Sequence, residues 1–189
     1  MGTVSPQHAR LHLSRRTFLG AGAAGLGLLI MRPAHAALPT ETGARKLALQ
    51  NLHTGERCAT EYWCDGSYHP DALAQIAKVL RDHRTNDVHA IDPKLLDALH
   101  RLNAKLDPGK SFQVISGYRS PASNAKLAAA SNGVARKSLH MQGMAIDIRM
   151  PGVELINLHK GAKSLGAGGV GYYAASNFVH MDVGRVRYW

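Results

Sequence analysis

Ser138-Leu139-His140-Met141-Gln142-Gly143-Met144-Ala145-Ile146-Asp147-Ile148-Arg149 places a histidine in a loop and, seven residues later, an aspartate within a strand. The strand reading of residues 143–149 rests on alternation: Ile146 and Ile148 take one face, and Ala145, Asp147 and Arg149 the other. Phe178-Val179-His180-Met181-Asp182-Val183 repeats the pattern near the C-terminus. There Val179, Met181 and Val183 face a core while His180 and Asp182 share the opposite face. Two such strands in one sheet can direct His140, Asp147 and His180 into a single cleft.

Two imidazoles and one carboxylate supply nitrogen and oxygen donors suited to Zn²⁺. Three protein ligands leave the fourth tetrahedral position open, as in catalytic rather than structural zinc sites. Spacing alone leaves equally open that His140 and His180 are ordinary surface histidines.

Outward from these strands, Phe112 to Ser116 reads as a third. A helix over residues 153–165 separates the two that carry the ligands. On the N-terminal side, Lys46 to His53 alternates, Thr54-Gly55-Glu56 is a turn signal, and Arg57 to Trp63 returns, so a hairpin is expected. Residues 71–83 place Leu73, Ile76, Ala77 and Leu80 at helical spacing. Asp92-Pro93 starts a second helix, with Leu95, Leu96, Leu99, Leu102 and Leu106 on one face. His69, His83, His89 and His100 belong to this scaffold and are expected to face solvent or satisfied neighbours. Gly166 to Gly171 reads as a turn that lets Tyr172 and Tyr173 approach the cleft. The whole is an α+β fold: one domain over residues 46–189, a mainly antiparallel sheet with helices packed on it.

Four segments carry a family resemblance: Ser116-Gly117-Tyr118-Arg119-Ser120, Ser138 to Asp147, Gly169-Val170-Gly171-Tyr172-Tyr173, and Asn177 to Asp182. Together they resemble the murein endopeptidase K family of zinc peptidases, which shares a fold with D-alanyl-D-alanine carboxypeptidases and Hedgehog signalling domains. The resemblance runs from about Arg45 to Trp189. It implies one zinc ion on His140, Asp147 and His180, and hydrolysis of stem or cross-link peptides in bacterial peptidoglycan. It also implies that Arg119, at the end of the Phe112 to Ser116 strand, stabilises an oxyanion or steadies substrate; an arginine bracing its own turn is the plain alternative. Asp182 is the candidate general base, two residues from a ligand on the same strand face. It can instead hold a ligand histidine through a hydrogen bond. The family places a Glu or second His shortly before the last ligand, where this chain has Asn177 and Phe178, so the identity of the base stays open. Terminal D-alanine trimming and a non-catalytic zinc-containing wall-binding module are the competing functions.

Residues 14–20, Ser-Arg-Arg-Thr-Phe-Leu-Gly, precede a Gly/Ala/Leu run and then Ala34-His35-Ala36, and so look like a twin-arginine export signal spanning residues 1–36. The apolar run is about 14 residues, short of the roughly 20 that span a bilayer, so no lasting membrane span is expected. Residues 37–45 read as a linker, and a periplasmic or cell-envelope location follows. The segment to be removed carries four arginines and no acid, so cleavage lowers the net charge from +10 to +6. That surplus suits anionic wall polymers, and the absence of aromatics interleaved with basic residues argues against nucleic acid. Cys58 and Cys64 are the only cysteines, and an oxidising compartment would let them pair across a short loop. Oligomeric state is left open by the sequence.

Overall fold

The computed structural model describes residues 1–2, 43–131 and 133–189; the export-signal segment and most of the linker lie outside the described residues. The chain forms β1 (Ala44–Asn51), β2 (Arg57–Cys64), β3 (Ser67–Tyr68), α1 (Pro70–Val79), α2 (Pro93–Leu106), β4 (Phe112–Ser116) and α3 (Pro121–Ala130). A short 3₁₀ turn (Leu139–Gln142) follows, then β5 (Ala145–Arg149), α4 (Leu155–Ser164), β6 (Gly169–Tyr173), β7 (Phe178–Asp182) and β8 (Arg187–Tyr188). One eight-stranded sheet runs β3-β2-β1-β4-β5-β7-β6-β8. Only the β1/β4 and β6/β8 pairings are parallel. The α+β reading with a mainly antiparallel sheet holds.

One face of the sheet is apolar and covered. Phe112, Ile146, Ile148 and Val179 are fully buried, with Val114, Val170 and Met181 nearly so. Across them lie Leu95, Leu96, Leu99 and Leu102 of α2, none exposed at all. Burying a Leu side chain contributes about 1.5–3 kcal/mol, so this stripe holds helix to sheet. The Asp92 side chain caps α2 by accepting from the Lys94 amide at 2.9 Å.

Four expectations are corrected. Helix α1 ends at Val79 rather than near His83, because Asp82 is buried and its carboxylate accepts from the Arg84 and Ser120 amides at 2.9 and 2.8 Å, turning the chain. A helix not anticipated, α3, starts where the Ser120 hydroxyl accepts from the Ser123 amide ahead of Pro121. Residues 169–173 form strand β6 instead of continuing a turn. Cys58 and Cys64 are free thiols. Both lie on β2, six residues apart, so about 20 Å of extended chain separates them, against the roughly 7 Å limit between Cα atoms for a disulfide.

Candidate metal centre

The uncovered face of the sheet carries a row of paired residues. Ser116 of β4 lies opposite Asp147 of β5, Asp147 opposite His180 of β7, and His180 opposite Gly171 of β6. A bulge between Val114 and Ser116 sets this row: one extra residue in β4 brings Ser116 level with Asp147 while Val114 stays level with Ile148. The bulge also re-aims the chain into the turn that bears Gly117 and Arg119.

His140 arrives from above the sheet on the 3₁₀ turn. The Ser138 hydroxyl accepts from the His140 amide, and Gly143 closes the turn at φ +66°. A Cβ there would run into the Ala90 carbonyl, so glycine is required on two counts. The Arg119 amide donates to the His140 carbonyl at 3.1 Å, joining the two loops.

Three donor atoms converge: His140 Nε2, Asp147 Oδ1 and His180 Nδ1. The two imidazole nitrogens are 3.3 Å apart, and Asp147 Oδ1 is 3.3 Å from His140 and 2.8 Å from His180. Bonds of about 2.0–2.1 Å at tetrahedral angles would put neighbouring ligand atoms about 3.3–3.4 Å apart. The observed triangle is that size, slightly contracted along one edge.

Outer hydrogen bonds fix which nitrogen carries the proton. His140 Nδ1 donates to the Gly117 carbonyl at 2.7 Å, leaving Nε2 bare. In the neutral ring His180 Nε2 donates to Asp182 Oδ2 at 3.1 Å, leaving Nδ1 bare. Two lone pairs and a carboxylate oxygen thus face one another, an arrangement that calls for a cation at their centre. The donor set therefore fits a metal ion.

Titration follows the same geometry. Where no ion sits between them, protons on the facing histidine nitrogens do its work: burial alone would raise the Asp147 carboxyl, but the neighbouring His140 and the hydrogen bonds both histidines then donate hold it well below the usual carboxylate range. Burial alone would lower His180, yet its hydrogen bonds to Asp147 and Asp182 raise it above its ordinary value.

Asp182 sits under this site with its side chain wholly buried. Its Oδ1 accepts from the Gly169 and Gly184 amides at 3.0 and 2.9 Å and from Arg187 Nη1 at 3.1 Å. Oδ2 accepts from His180 and from Arg187 Nη2 at 2.7 Å. Burial would raise this carboxyl as well, but these bonds hold it far below the usual range. Every acceptor position is filled, and none faces the cleft.

Arg119 lies on the other side, its Nη2 3.7 Å from Asp147 Oδ2 and 3.4 Å from the Ser116 hydroxyl, and its Nη1 3.3 Å from Asn124 Oδ1. Its buried Nε has no partner among the described residues. The ligands form the floor of a cleft of about 580 Å³, walled by Arg119, Lys137, Tyr173, Phe178, Arg187 and Trp189 among others.

All five residues singled out from the sequence meet here, with Asp182 beneath the floor rather than in it. Tyr173 lines the cleft, whereas Tyr172 turns outward, its ring 5.1 Å from that of His159 and tilted to it by 43°. His69 and His100 each reach a backbone carbonyl, and His83 and His89 stack on His53 and Tyr118; none joins the metal group. Arg187 and Trp189 were not anticipated. Trp189 packs over Gly171, lies 5.4 Å from the His180 ring and donates from Nε1 to the Tyr173 hydroxyl at 2.8 Å.

Comparison with known proteins agrees with this architecture. Residues 40–189 match the family model described as peptidoglycan L,D-endopeptidase MepK, a group of M15 metallopeptidases. The peptidoglycan L,D-endopeptidase MepK of Escherichia coli K12 is 46% identical over 177 residues, covering 93% of this chain and 97% of that protein. The probable peptidoglycan L,D-endopeptidase MepK of Haemophilus influenzae is 39% identical over 177 residues, covering 93% and 95%. The matched region takes in β1 through Trp189 and with them the three donor atoms, and the chain belongs to the peptidoglycan L,D-endopeptidase MepK family.

Proposed function

We propose that this protein is a zinc peptidoglycan endopeptidase that cuts the cross-link between two stem peptides at an amide joining an L-centre carbonyl to a D-centre amine. The observation that carries the reading is the triangle of His140, Asp147 and His180, with both histidine tautomers set from outside, at the floor of an open cleft. The relatives' names supply the bond class. Among stem-peptide cross-links, the bond between two diaminopimelates is of the L,D type, whereas D-alanine to diaminopimelate is D,D.

His140, Asp147 and His180 would hold the ion. When bound, Zn²⁺ polarises a carbonyl and lowers the pKa of a coordinated water to about 7. In the hydrolysis one C–N bond breaks, the carbonyl carbon takes the oxygen of a water, and the leaving nitrogen takes a proton. Arg119 presents its guanidinium to the charge that develops on the carbonyl oxygen. Burial lowers its affinity for the proton, but an arginine stays cationic even so. The Tyr173 hydroxyl accepts from Trp189, which leaves its own O–H free to donate into the cleft. Asp182, with its oxygens filled, orients His180 and keeps the proton on Nε2 rather than carrying protons for the reaction.

The Arg15-Arg16 pair and the small-residue site at Ala36 support export by the twin-arginine route to the cell envelope, where this substrate is found. Among the described residues, no helix is long and apolar enough to cross a membrane.

The deciding experiment incubates the protein lacking residues 1–36 with purified muropeptide dimers joined between diaminopimelates. Monomers should appear, stop on chelation and return with added zinc. Dimers that persist with zinc loaded would refute the assignment.

A further inference from the structure

Three cations wall the cleft: Arg119, Lys137 and Arg187. Two are committed. Arg119 spans Asp147, Ser116 and Asn124, and Arg187 is doubly bonded to Asp182. Lys137 is exposed and makes no hydrogen bond or ion pair with any described residue. Among the described residues, the only carboxylate lining the cleft is Asp147, which both histidines and Arg119 already engage. A cation without a partner on a catalytic wall has its complement in the ligand.

The backbone that carries Lys137 is held in place. Asn124 is buried, and its amide donates to the carbonyls of Ala135 and Arg136 at 3.1 and 3.2 Å while its oxygen accepts from Arg119. On the other side Ser138 caps the turn that presents His140. Lys137 is therefore three residues from a metal-facing histidine, its Cα within about 11 Å of that residue's, on a wall tied to Arg119. The charge is delivered by a flexible stem from a fixed base.

The proposed reaction supplies a matching anion. When the released amine belongs to the D-centre of diaminopimelate, the same carbon bears a free carboxylate next to the scissile nitrogen. We propose that Lys137 is the carboxylate subsite of the cleft and pairs with that leaving-side carboxylate. This rests on the endopeptidase reading of the site and deepens it: Lys137 selects cross-links whose leaving residue keeps its negative charge over those in which it is amidated.

The test uses two diaminopimelate-linked muropeptide dimers, one with the leaving-side carboxylate free and one with it converted to carboxamide. Wild type, Lys137→Gln and Lys137→Arg are compared, with zinc content measured in each. Wild type should favour the free acid by about tenfold in kcat/KM, mostly through KM, as a charge-assisted contact warrants. K137Q should cut both substrates at the rate wild type shows on the amide, with its zinc intact, and K137R should restore most of the preference. A wild type without preference, or a K137Q that keeps it, overturns the subsite while leaving the endopeptidase standing. A zinc-loaded wild type that cuts neither dimer refutes the endopeptidase reading and the subsite with it.

Discussion

Replacing Asp182 by Asn separates orientation from proton transfer at this site. The side chain keeps its shape, and Oδ1 must remain an oxygen because the Gly169 and Gly184 amides and Arg187 Nη1 all donate to it. The new NH₂ then occupies the place of Oδ2, facing His180 Nε2 at 3.1 Å and Arg187 Nη2 at 2.7 Å, both donors. His180 can relieve its half of that clash only by moving its proton from Nε2 to Nδ1, the atom that faces His140 and Asp147. A protonated Nδ1 cannot bind a metal. Zinc affinity should fall about 10- to 100-fold, the range for loss of an outer partner to a ligand histidine, or about 1.4–2.8 kcal/mol. Titration against a chromophoric chelator reads this directly, and kcat/KM at saturating zinc reads what is left. A D182N protein that binds zinc as tightly as wild type yet hydrolyses nothing would refute the reasoning and return Asp182 to the role of base.

Arg119→Ala should retain zinc and lose about 10²–10³ in kcat, the cost of removing a donor to a developing oxyanion; unchanged turnover would reduce Arg119 to a brace for its turn. Zinc affinity should fall with pH. Because the His180 pKa is raised in the metal-free protein, its proton persists above the ordinary range, and below that pKa affinity drops by up to about a decade per unit; a flat profile between pH 8 and 6 would contradict the pairing with Asp147 and Asp182. The same raised pKa stabilises the metal-free fold below the unfolded value, and that contribution fades as pH rises through the folded one. Thiol titration of the unfolded, unreduced protein should find both cysteines free, and a reductant should leave the melting temperature unchanged; one disulfide per chain would show that β2 is not a continuous strand.

What the sequence disclosed follows from how local each signal is. Helix α2 was readable because Leu95, Leu99 and Leu102 repeat at helical spacing behind an Asp-Pro start. Asp147 and His180 were readable because each stands on the polar face of a clean apolar alternation. Helix α3 was not, since PASNAKLAAA has no apolar stripe and is announced only by its Ser-Pro entry. Strand β6 was hidden by its glycines, whose cause is distant: Gly169 lies against Asp182 and Arg187, and a Cβ on Gly171 would come within 2.6 Å of the Trp189 ring. Arg187 carries no motif; its importance comes from a carboxylate five residues earlier that the fold buries. The disulfide expectation left Cys64 just beyond the strand read over Arg57 to Trp63, but β2 runs on through Cys64 and its extended backbone keeps the two thiols apart.

The row Ser116, Asp147, His180, Gly171 crosses four neighbouring strands, each meeting the next in one register. Slipping the β5/β7 pairing by one residue would set Ile146 or Ile148 beside His180 and turn a ligand toward the apolar side. A misaligned sheet would also lose its core, since the same slip turns the buried apolar set of the strand to solvent. It could not hold the ion. The pairing that seals the apolar core is thus the same pairing that assembles the triangle of His140, Asp147 and His180.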